Sequence, residues 1–510
     1  MSSEARNAHG VSPVHSSPGP SVRVVTSASP PADGAFAIPV AAGGGGGGVP
    51  GPLGLDRAAL SAAGFGGGLG ETLLIPRQGG PTLVAVGIGD PAALDAAAIR
   101  DAAAAFARAV GTHERITISV AELADVPPEI AGQAVVEGVL LARYRYDAFK
   151  PKAPGDVKEL VVVAAPEHVE AVRAGAERGR ILAEVGTLAR DLANSPAGVL
   201  SATRMAEVAL KVAADRGLGI EIFDKEALAE MGCGGLLGVN AGSAEPPRMI
   251  KLTYRPGNAS GSAGETAHLS LVGKGIMYDS GGINLKPTDD MHLAMKMDMS
   301  GAAAVLAAMS ALSDLGCACT VTGYLMCTDN MPSGSAMKMG DVLIIRGGTP
   351  IEINNTDAEG RLVMADALVL SVEEKADAIV DIATLTGAAM RALGDKIAGL
   401  FGNNEDLLDQ VRDAAKRTDE PVWELPLDRR YRKQLDSEIA FMKNVGEAAP
   451  AATTAALFLE AFVDGTPWAH IDIAGTMRSA GDDLWRSTGA TGFGARLLAE
   501  LAVNFRVPKT

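Results

Sequence analysis

Two acids and an arginine stand on alternating positions in the segment NNTDAEGRL, residues 354–362. Asp357, Glu359 and Arg361 closely follow the apolar, strand-like run TPIEI. One interpretation is a loop that leads into an N-capped helix, since Thr and Asp cap helices well and acids suit a helix N-terminus. The other is a metal site, because extended backbone can aim alternate carboxylates and a carbonyl into a single pocket.

Further charged residues follow other strand-like runs. The segment VGKGIMYDSGGINLKP carries Lys274, Asp279 and Lys286, and MKMDMSGAAAV brings Asp298 to the start of a helix. In open α/β sheets, ligands bind beyond the carboxyl ends of the strands, so loops that are distant in sequence can meet there. Each residue alone has a simpler interpretation, such as a turn with a solvated lysine at GKG or a helix N-cap at Asp298.

A pair of divalent metals is the chemistry that fits the acids together. Gathered carboxylates would repel and raise one another's pKa values unless cations neutralised them. Two metals about 3.5–4 Å apart share bridging carboxylates and a bridging water, which becomes a hydroxide near neutral pH. Asp279 and Glu359 are the candidates for bridging ligands. Lys286 and Arg361 would face developing negative charge on a substrate oxygen or hold an anion.

Glycines flank the acids, and they allow close backbone approach where a Cβ would clash; they are Gly281, Gly282 and Gly360. The sequence contains no H-E-x-x-H, P-loop or G-x-S-x-G motif, so the usual zinc-protease, nucleotide and serine-hydrolase interpretations lack support. His470 lies in the strand-like WAHIDIAG and is interpreted as a core histidine, not as a ligand.

Composition indicates a globular α/β protein. The chain has 510 residues, which is too long for one ordinary core, so we expect two domains. Its hydrophobic content is 47% with only 4% aromatic residues, which predicts a core of Ala, Val, Leu, Ile and Met. The net charge of -16 argues against a nucleic-acid partner, because such binding relies on a basic surface.

The cysteines and the apolar runs predict the compartment. Cys233, Cys317, Cys319 and Cys327 are too few and too clustered for a disulfide framework, and we expect buried, reduced thiols. No apolar run approaches the ~20 residues of a membrane span. The N-terminus lacks the basic-then-apolar layout of a signal peptide. We therefore expect a soluble, cytoplasmic protein without a membrane partner.

The patterning predicts a smaller N-terminal α/β domain and a larger catalytic α/β domain with a central, mostly parallel mixed sheet. The predicted segments are a disordered tail at 1–21, the N-terminal domain at 22–166, a linker helix at 167–195 and the catalytic domain at 196–510. The glycine run at 43–48 is expected to be a flexible loop. Catalytic-domain strands are predicted at 268–273, 320–326, 341–347, 379–385 and 468–475.

The order of these segments resembles a known family, the leucyl (cytosol) aminopeptidases, which are dimetal exopeptidases built as hexamers. The resemblance rests on NTDAEGRL, VGKGIMYDSGGINLKP, MKMDMSGAAAV, DNMPSGSAMKMGDV, DIATLTGA, WELPL, WAHIDIAGT and GATGFGARLL, together with the upstream RDLANSP and LGVNAGSAEPPRMIKLTY. It is dense over residues 185–505 and looser before them. IMYD before the first aspartate and AFMKN in place of ADL-x-N depart from the family pattern and affect the expected substrate preference.

The resemblance implies a role for each charged residue. The implied metal ligands are Lys274, Asp279, Asp298, Asp357 and Glu359. A lysine can ligate only as a neutral amine, so the metal must displace its proton. Lys286 would polarise the scissile carbonyl, and Arg361 would hold a bicarbonate that acts as general base. The implied metals are zinc, manganese or magnesium, among which such ligands do not choose sharply.

The resemblance also implies a pocket for the first side chain of the substrate. Its residues would be Met295, Thr384, Gly387, Ala474 and Met477. Met and Ala form an apolar, adaptable wall that suits Leu or Met better than Asp or Lys, although the two methionines can also be plain core residues. The leading hypothesis is thus a metal-dependent aminopeptidase that releases apolar N-terminal residues. The alternatives are a DNA-binding or regulatory relative and a catalytically inactive structural homologue.

Overall fold

The computed structural model of the protein describes residues 12–14, 19–26, 33–43, 49–123, 126–150, 155–257 and 266–509. Most of the predicted tail and glycines 44–48 lie outside these residues, whereas Ser21 already begins a strand. The described chain forms two compact units. The smaller unit comprises 19–187 and 479–489, and the larger one comprises 12–14, 188–478 and 490–509. The α/β fold class expected from the patterning is confirmed.

The smaller unit is built on a six-stranded sheet. Its strands are β1 (Ser21–Val25), β2 (Ala35–Val40), β3 (Thr72–Ile75), β4 (Thr82–Gly87), β5 (Arg115–Ser119) and β6 (Glu159–Val163), and its helices are α1 (Arg57–Ala62), α2 (Ala96–Ala109) and α3 (Pro128–Ala142). The strand order is β1-β6-β5-β2-β4-β3, and only β3 and β4 pair antiparallel. The mainly parallel pairing explains the continuous apolar runs, because such sheets are covered on both faces.

A long helix, α4 (Val169–Asn194), carries the chain from the smaller unit into the larger one. It follows a short 3-10 turn at Pro166–His168. Proline is favoured in the first turn of a helix, since its missing N–H is unpaired there in any case. In the part of the chain that the structure describes, every helix is too short or too polar to serve as a membrane span.

The larger unit contains an eight-stranded mixed sheet with helices packed against it. In chain order its elements are α5 (Ala202–Arg216), β7 (Gly219–Phe223), α6 (Lys225–Glu230), α7 (Gly234–Asn240), β8 (Arg248–Tyr254), β9 (His268–Asp279), α8 (Asp290–Leu293), α9 (Ser300–Met309), β10 (Thr320–Asn330), β11 (Val342–Ile345), β12 (Thr349–Glu352), α10 (Gly360–Glu373), β13 (Ala378–Ala383), α11 (Gly387–Leu393), β14 (Ala398–Gly402), α12 (Glu405–Thr418), β15 (Val422–Glu424), β16 (Met442–Lys443), α13 (Ala451–Glu460), β17 (Trp468–Asp472) and, after the two-residue strands β18 (Arg478–Ser479) and β19 (Gly489–Ala490) at the boundaries of the segment 479–489, α14 (Ala495–Val503). The sheet order is β15-β14-β17-β13-β9-β10-β8-β7.

The four central strands β17, β13, β9 and β10 run parallel to one another. They are buried almost throughout, which is why they appear in the sequence as apolar runs without alternation. Antiparallel pairs add β14 on one side and β8 on the other. A further parallel pair joins β15 to β14, so the prediction of a mostly parallel mixed sheet is confirmed.

One predicted strand lies outside the eight-stranded sheet. The run at 341–347 was predicted as a strand of the catalytic domain, and it contains β11, which forms a small three-stranded sheet with β12 and β16. β11 and β12 form an antiparallel hairpin closed by the glycine-containing turn between them. The acids of 354–362 therefore follow a strand of this small sheet, not a strand of the central sheet.

All four cysteines are buried and free, as expected. His470 is a core residue of β17, and only 1% of it is exposed. Its Nδ1 bonds to one oxygen of Asp381 in β13, while the other oxygen accepts a hydrogen bond of 2.7 Å from Trp468 Nε1. Burial opposes a charge on His470, but the charge and hydrogen bond of Asp381 outweigh it, so its pKa lies above the usual value.

Replacing Asp381 by Asn should destabilise the larger unit in a pH-dependent way. The raised pKa means that the His470–Asp381 pair contributes most stability below the unfolded pKa of histidine, about 6.5, and loses it as pH rises through the folded pKa. The unfolding midpoints of mutant and wild type should therefore differ more near pH ~6 than near pH ~9. Asp395→Asn, at an exposed position, is the control. A difference that does not change with pH would contradict the charged pair.

Candidate metal centre

Lys274 and Asp279 lie inside a strand, which corrects the predicted position of these residues in a loop. β9 was expected to end at 273, but it continues to Asp279 and pairs with β10 and β13. The glycines around Lys274 lie within the strand, at positions where neighbouring backbone occupies the space that a side chain would need. A Cβ on Gly275, for example, would lie 2.7 Å from the carbonyl oxygen of Met326. The site is therefore anchored in the central sheet.

A register shift allows both side chains to serve one site. Residues five apart on a regular strand point to opposite faces, because side chains alternate. Between β9 and β10, Ile276 is the partner of Thr328 but Asp279 is the partner of Asn330, so β9 contains one additional residue. Such a bulge redirects the following side chains. It explains how Asp279 reaches the same charged cluster as Lys274.

The Lys274 ammonium lies at the centre of the cluster. Its Nζ is 2.8 Å from Asp298 Oδ2 and 2.9 Å from Glu359 Oε1. It also donates to the carbonyl oxygen of Thr384 at 2.9 Å. Lys274 is 3% exposed, so water contributes little to its charge compensation. The solvated-turn interpretation of the GKG segment is therefore wrong.

Lys286 joins the remaining acids at the more open side of the cluster. Its Nζ is 2.8 Å from Asp279 Oδ2 and 2.6 Å from Asp357 Oδ1. The Lys286 side chain is 18% exposed and that of Asp357 is 33% exposed, compared with 4% for Asp279. Lys286 thus combines contact with the cluster and access from solvent.

Three of the four predicted carboxylate ligands form a compact group. Asp279, Asp298 and Glu359 each offer an oxygen atom, and these atoms lie within 4.8 Å of one another. All three residues are buried. Asp357 is joined to them through Lys286. The structure therefore brings together the five residues predicted as ligands, with Asp357 at the edge.

The helix-cap interpretations of these acids are wrong. Helix α9 has Met299 at its N-cap, and Asp298 instead accepts hydrogen bonds from Lys274 and from Thr384 Oγ1, the latter at 2.6 Å. Helix α10 has Glu359 at its N-cap position without a side-chain cap bond. Thr356, a good capping residue by type, donates its hydroxyl to the carbonyl of Gly281 at 2.7 Å. These side chains therefore build the site and do not cap the helices.

The electrostatics show that the two lysines do not neutralise the acids fully. Burial, together with Asp279 and Glu359, raises the pKa of Asp298 to about 8 against the opposing effect of Lys274. Burial and the same two carboxylates raise the pKa of Asp357 to about 6. Of the four acids in this cluster, Glu359 alone has a lowered pKa, because the two lysines outweigh its burial. The cluster therefore favours additional positive charge.

The donor set fits divalent cations. Carboxylate oxygens are the preferred ligands of magnesium and manganese, and zinc accepts both carboxylate oxygens and nitrogen. The carboxylates of Asp298 and Glu359 raise the pKa of Lys274 although burial opposes its charge, so a cation would have to displace a proton before this amine could ligate. The glycine at 360 leaves room for this lysine, because a Cβ there would lie 2.5 Å from Lys274 Cε and 2.8 Å from Lys274 Nζ.

Arg361 is a buried cation with an unused donor. Its Nη1 donates to the carbonyl oxygen of Asn444 at 2.8 Å, and its guanidinium lies 6.0 Å from the ring centroid of Phe458. Its Nε is buried and makes no hydrogen bond to any part of the chain that the structure describes. Burial lowers the pKa of Arg361 to about 10, while Glu359 and Asp472 oppose that effect. An anion beside Arg361 would accept a hydrogen bond from Nε and would compensate the buried positive charge.

The predicted pocket residues come from three segments of the larger unit: the 3-10 turn before Asp298, the segment after β13 and the segment after β17. Thr384 belongs to the charged cluster, since its hydroxyl bonds Asp298 and its carbonyl accepts from Lys274. Ala474 follows β17, and Gly387 begins α11 after β13. The two methionines are buried, Met295 in the 3-10 turn before Asp298 and Met477 after β17.

Asp472, which the sequence analysis missed, connects two of these loops. Its Oδ1 accepts from the backbone N–H groups of Leu385, Thr386 and Ala474, at 3.2, 3.3 and 3.1 Å. Its Oδ2 accepts from the Thr386 hydroxyl at 2.7 Å. The loops after β13 and β17 are thereby held together by one buried carboxylate. An acid in the apolar WAHIDIAG strand was the available signal, since buried acids need partners.

Two asparagines were also missed. Asn444 accepts from the N–H groups of Asn354 and Asn355 and donates to the carbonyl of Asn355 at 2.7 Å, so it holds the segment that precedes the acids. Asn330, at the end of β10, donates to Asp279 at 2.9 Å. The signal for Asn330 was its place at the end of a strand, in DNMPSG, where the other polar residues of the site also stand.

Comparison with known proteins identifies two family segments. Residues 187–499 match the model of the cytosol aminopeptidase family, catalytic domain. Residues 54–153 match the model of the cytosol aminopeptidase family, N-terminal domain. A probable cytosol aminopeptidase from Streptomyces avermitilis is 42% identical over 468 residues, which are 87% of this chain and 88% of that protein. One from Chlorobaculum tepidum is 44% identical over 386 residues, 73% of this chain and 75% of that protein.

Solved structures give the same result. The bottromycin maturation enzyme BotP in complex with Mn is 38% identical with a TM-score of 0.82, and the match covers 92% of this chain and 98% of that chain. A mutant of tomato leucine aminopeptidase is 29% identical with a TM-score of 0.86, and the match covers 98% of this chain and 100% of that chain. By the family models and by these relatives, the chain belongs to the cytosol aminopeptidase family and is a hydrolase of that family.

Proposed function

We propose that this protein is a metal-dependent aminopeptidase that removes apolar N-terminal residues, such as Leu or Met, from peptides. The observation that carries the proposal is the buried group of Asp279, Asp298 and Glu359 around Lys274, in a chain of the cytosol aminopeptidase family. The pKa of Asp298, raised to about 8, supports a need for further positive charge at that point.

The proposed ligands of two divalent cations are Lys274, Asp279, Asp298, Asp357 and Glu359. Bound there, the cations would supply Lewis-acid chemistry, activating water and polarising the scissile carbonyl. Manganese, zinc and magnesium all suit the donor set. The Mn in the BotP structure supports manganese as the first metal to test.

Lys286 is proposed to stabilise the negative charge that develops on the carbonyl oxygen of the substrate. Its ammonium is directed at the cluster by Asp279 and Asp357, yet it remains accessible. A cation held in place before the reaction stabilises developing charge without the cost of reorganisation.

Arg361 is proposed to hold an anion, bicarbonate in the first instance, that accepts a proton from the attacking water. The buried guanidinium with a free Nε–H supports this role. Among the site residues described above, every carboxylate has a contact with a lysine or another donor, so a separate anion is a reasonable base. Bicarbonate is planar and can accept paired hydrogen bonds from a guanidinium.

The apolar side chains of Met295, Ala474 and Met477 are proposed to receive the first side chain of the peptide, together with Thr384 in the loop after β13 and Gly387 at the start of α11. Asp472 would keep the loops that carry Thr384 and Ala474 in register. A homohexamer in the cytoplasm, by analogy with the family, completes the proposal.

The function is tested with two substrates and a chelator. The protein should hydrolyse Leu-p-nitroanilide but not its N-acetyl derivative, because an aminopeptidase needs the free amine. Dialysis against a chelator should remove the activity, and Mn²⁺ should restore it. Equal cleavage of the blocked substrate, or full activity with no bound metal by elemental analysis, would refute the proposal.

Replacing Glu359 by Ala should abolish hydrolysis of Leu-p-nitroanilide and lower the bound metal. The change removes a buried oxygen ligand and leaves Lys274 with one carboxylate partner fewer. Glu373→Ala, at the C-terminal end of the helix that Glu359 precedes and paired with Arg346 at the surface, is the matched control. Metal content and turnover are measured together, and an active Glu359→Ala protein with normal metal would contradict the ligand role.

Replacing Lys286 by Ala should lower kcat by about 10²–10³-fold, the usual effect of removing one group that stabilises transition-state charge. Bound metal should remain near the wild-type amount, since the carboxylates stay in place. Lys338→Ala is the control, because that ammonium donates to the main-chain carbonyl of Ala336. Parallel loss of metal would assign Lys286 to the metal site itself.

A further inference from the structure

We propose that Asn330 is a positioning residue that determines which oxygen of Asp279 is presented to the cations. The inference rests on the proposed function. Asn330 ends β10, is 2% exposed and stands beside Asp279 in the sheet register. Its side chain carries no charge, in contrast to the lysines that contact the same acids.

The two oxygens of Asp279 have different partners. Oδ1 accepts hydrogen bonds from Asn330 Nδ2 and from the backbone N–H of Gly281, both at 2.9 Å. Oδ2 faces Lys286 Nζ at 2.8 Å. Because Oδ1 is already held by two neutral donors, Oδ2 is the oxygen directed to the charged cluster. The hydrogen bond from Asn330 thus fixes the orientation of the Asp279 carboxylate, with Oδ1 held by the protein and Oδ2 left for the cations.

The same amide connects Asp279 to the loop of the other acids. Asn330 Nδ2 also donates to the carbonyl oxygen of Thr356 at 3.0 Å, and it lies 3.5 Å from Glu359 Oε2. The amide orientation follows from these partners, since all are oxygen acceptors and a flipped amide would place its own oxygen against them. Its Oδ1 lies beside Gly282, where a Cβ would be only 2.9 Å away.

The main chain of Asn330 completes the arrangement. Its carbonyl oxygen accepts from the N–H of Ser280 at 3.0 Å and from the Ser280 hydroxyl at 2.6 Å. Asn330 therefore contacts the residue after Asp279 as well as Asp279 itself. A neutral donor held in this way can remain in place when cations bind, whereas a lysine ammonium must move or lose part of its compensation.

The experiment compares Mn²⁺ binding to chelator-stripped wild type and variants by calorimetry. Asn330→Ala removes the donor, and Asn330→Asp keeps the shape but replaces the donor with an acceptor. Each should weaken Mn²⁺ affinity about 10–100-fold, the usual effect of removing a hydrogen-bond partner of a metal ligand. Saturating Mn²⁺ should return most of the turnover on Leu-p-nitroanilide in Asn330→Ala.

Asn284→Ala is the matched control. Asn284 holds the same loop, since its Oδ1 accepts from the N–H of Thr356 at 2.8 Å, but within the described part of the chain its hydrogen bonds join it to Thr356 and Met339 and to none of the carboxylates. Its loss should lower thermal stability while Mn²⁺ affinity stays within about twofold of wild type, far from the effect of losing a ligand's partner.

Two results would overturn the inference. One is wild-type Mn²⁺ affinity in both Asn330 variants; the other is an equal loss of affinity in Asn284→Ala, which would assign the effect to loop anchoring. If wild type itself shows no Mn²⁺-dependent hydrolysis, the proposed function fails and this inference fails with it. Unchanged variants beside an active, metal-dependent wild type would refute the role of Asn330 alone.

Discussion

The candidate metal centre depends on the electrostatic balance around the Lys274 ammonium. Three buried carboxylates lie so close together that they would repel, and Lys274 contacts two of them, Asp298 and Glu359, from the centre. Charges removed from water are tolerated only when they are paired and hydrogen-bonded. The balance is incomplete, as the raised pKa of Asp298 shows. A site that holds its acids together but still lacks positive charge is suited to bind cations.

This balance requires the acids to arrive from different elements with little freedom. Asp279 comes from strand β9, Asp298 from the turn before α9 and Glu359 from the start of α10. The bulge opposite β10 turns Asp279 toward Lys274, although five positions of regular strand would separate them to opposite faces. Because β9 is buried and pairs with β10 as far as Asp279, the sheet register sets the position of this acid.

Neutral or compensated polar side chains form a supporting layer. Asn330 holds Asp279, Asn444 holds the segment before Asp357, and Asp472 holds the loops after β13 and β17. The charge pattern of the sequence did not identify these three residues as part of the site. They orient the charged groups without adding a cation that would compete with metals, which is the usual task of residues behind a metal site.

The sequence by itself determined the α/β class, the family and the set of charged residues that meet. Apolar runs, helix periodicity and the spacing of NTDAEGRL are local properties, and they remain visible in one dimension. The tertiary structure alone decided that β9 continues through Asp279, that β11 leaves the central sheet and that Asn330 and Asp472 contact the site. It also assigned residues 479–489 to the smaller unit. The physical reason is that strand ends, bulges and hydrogen-bond partners depend on register with neighbouring strands, which are brought together only by folding.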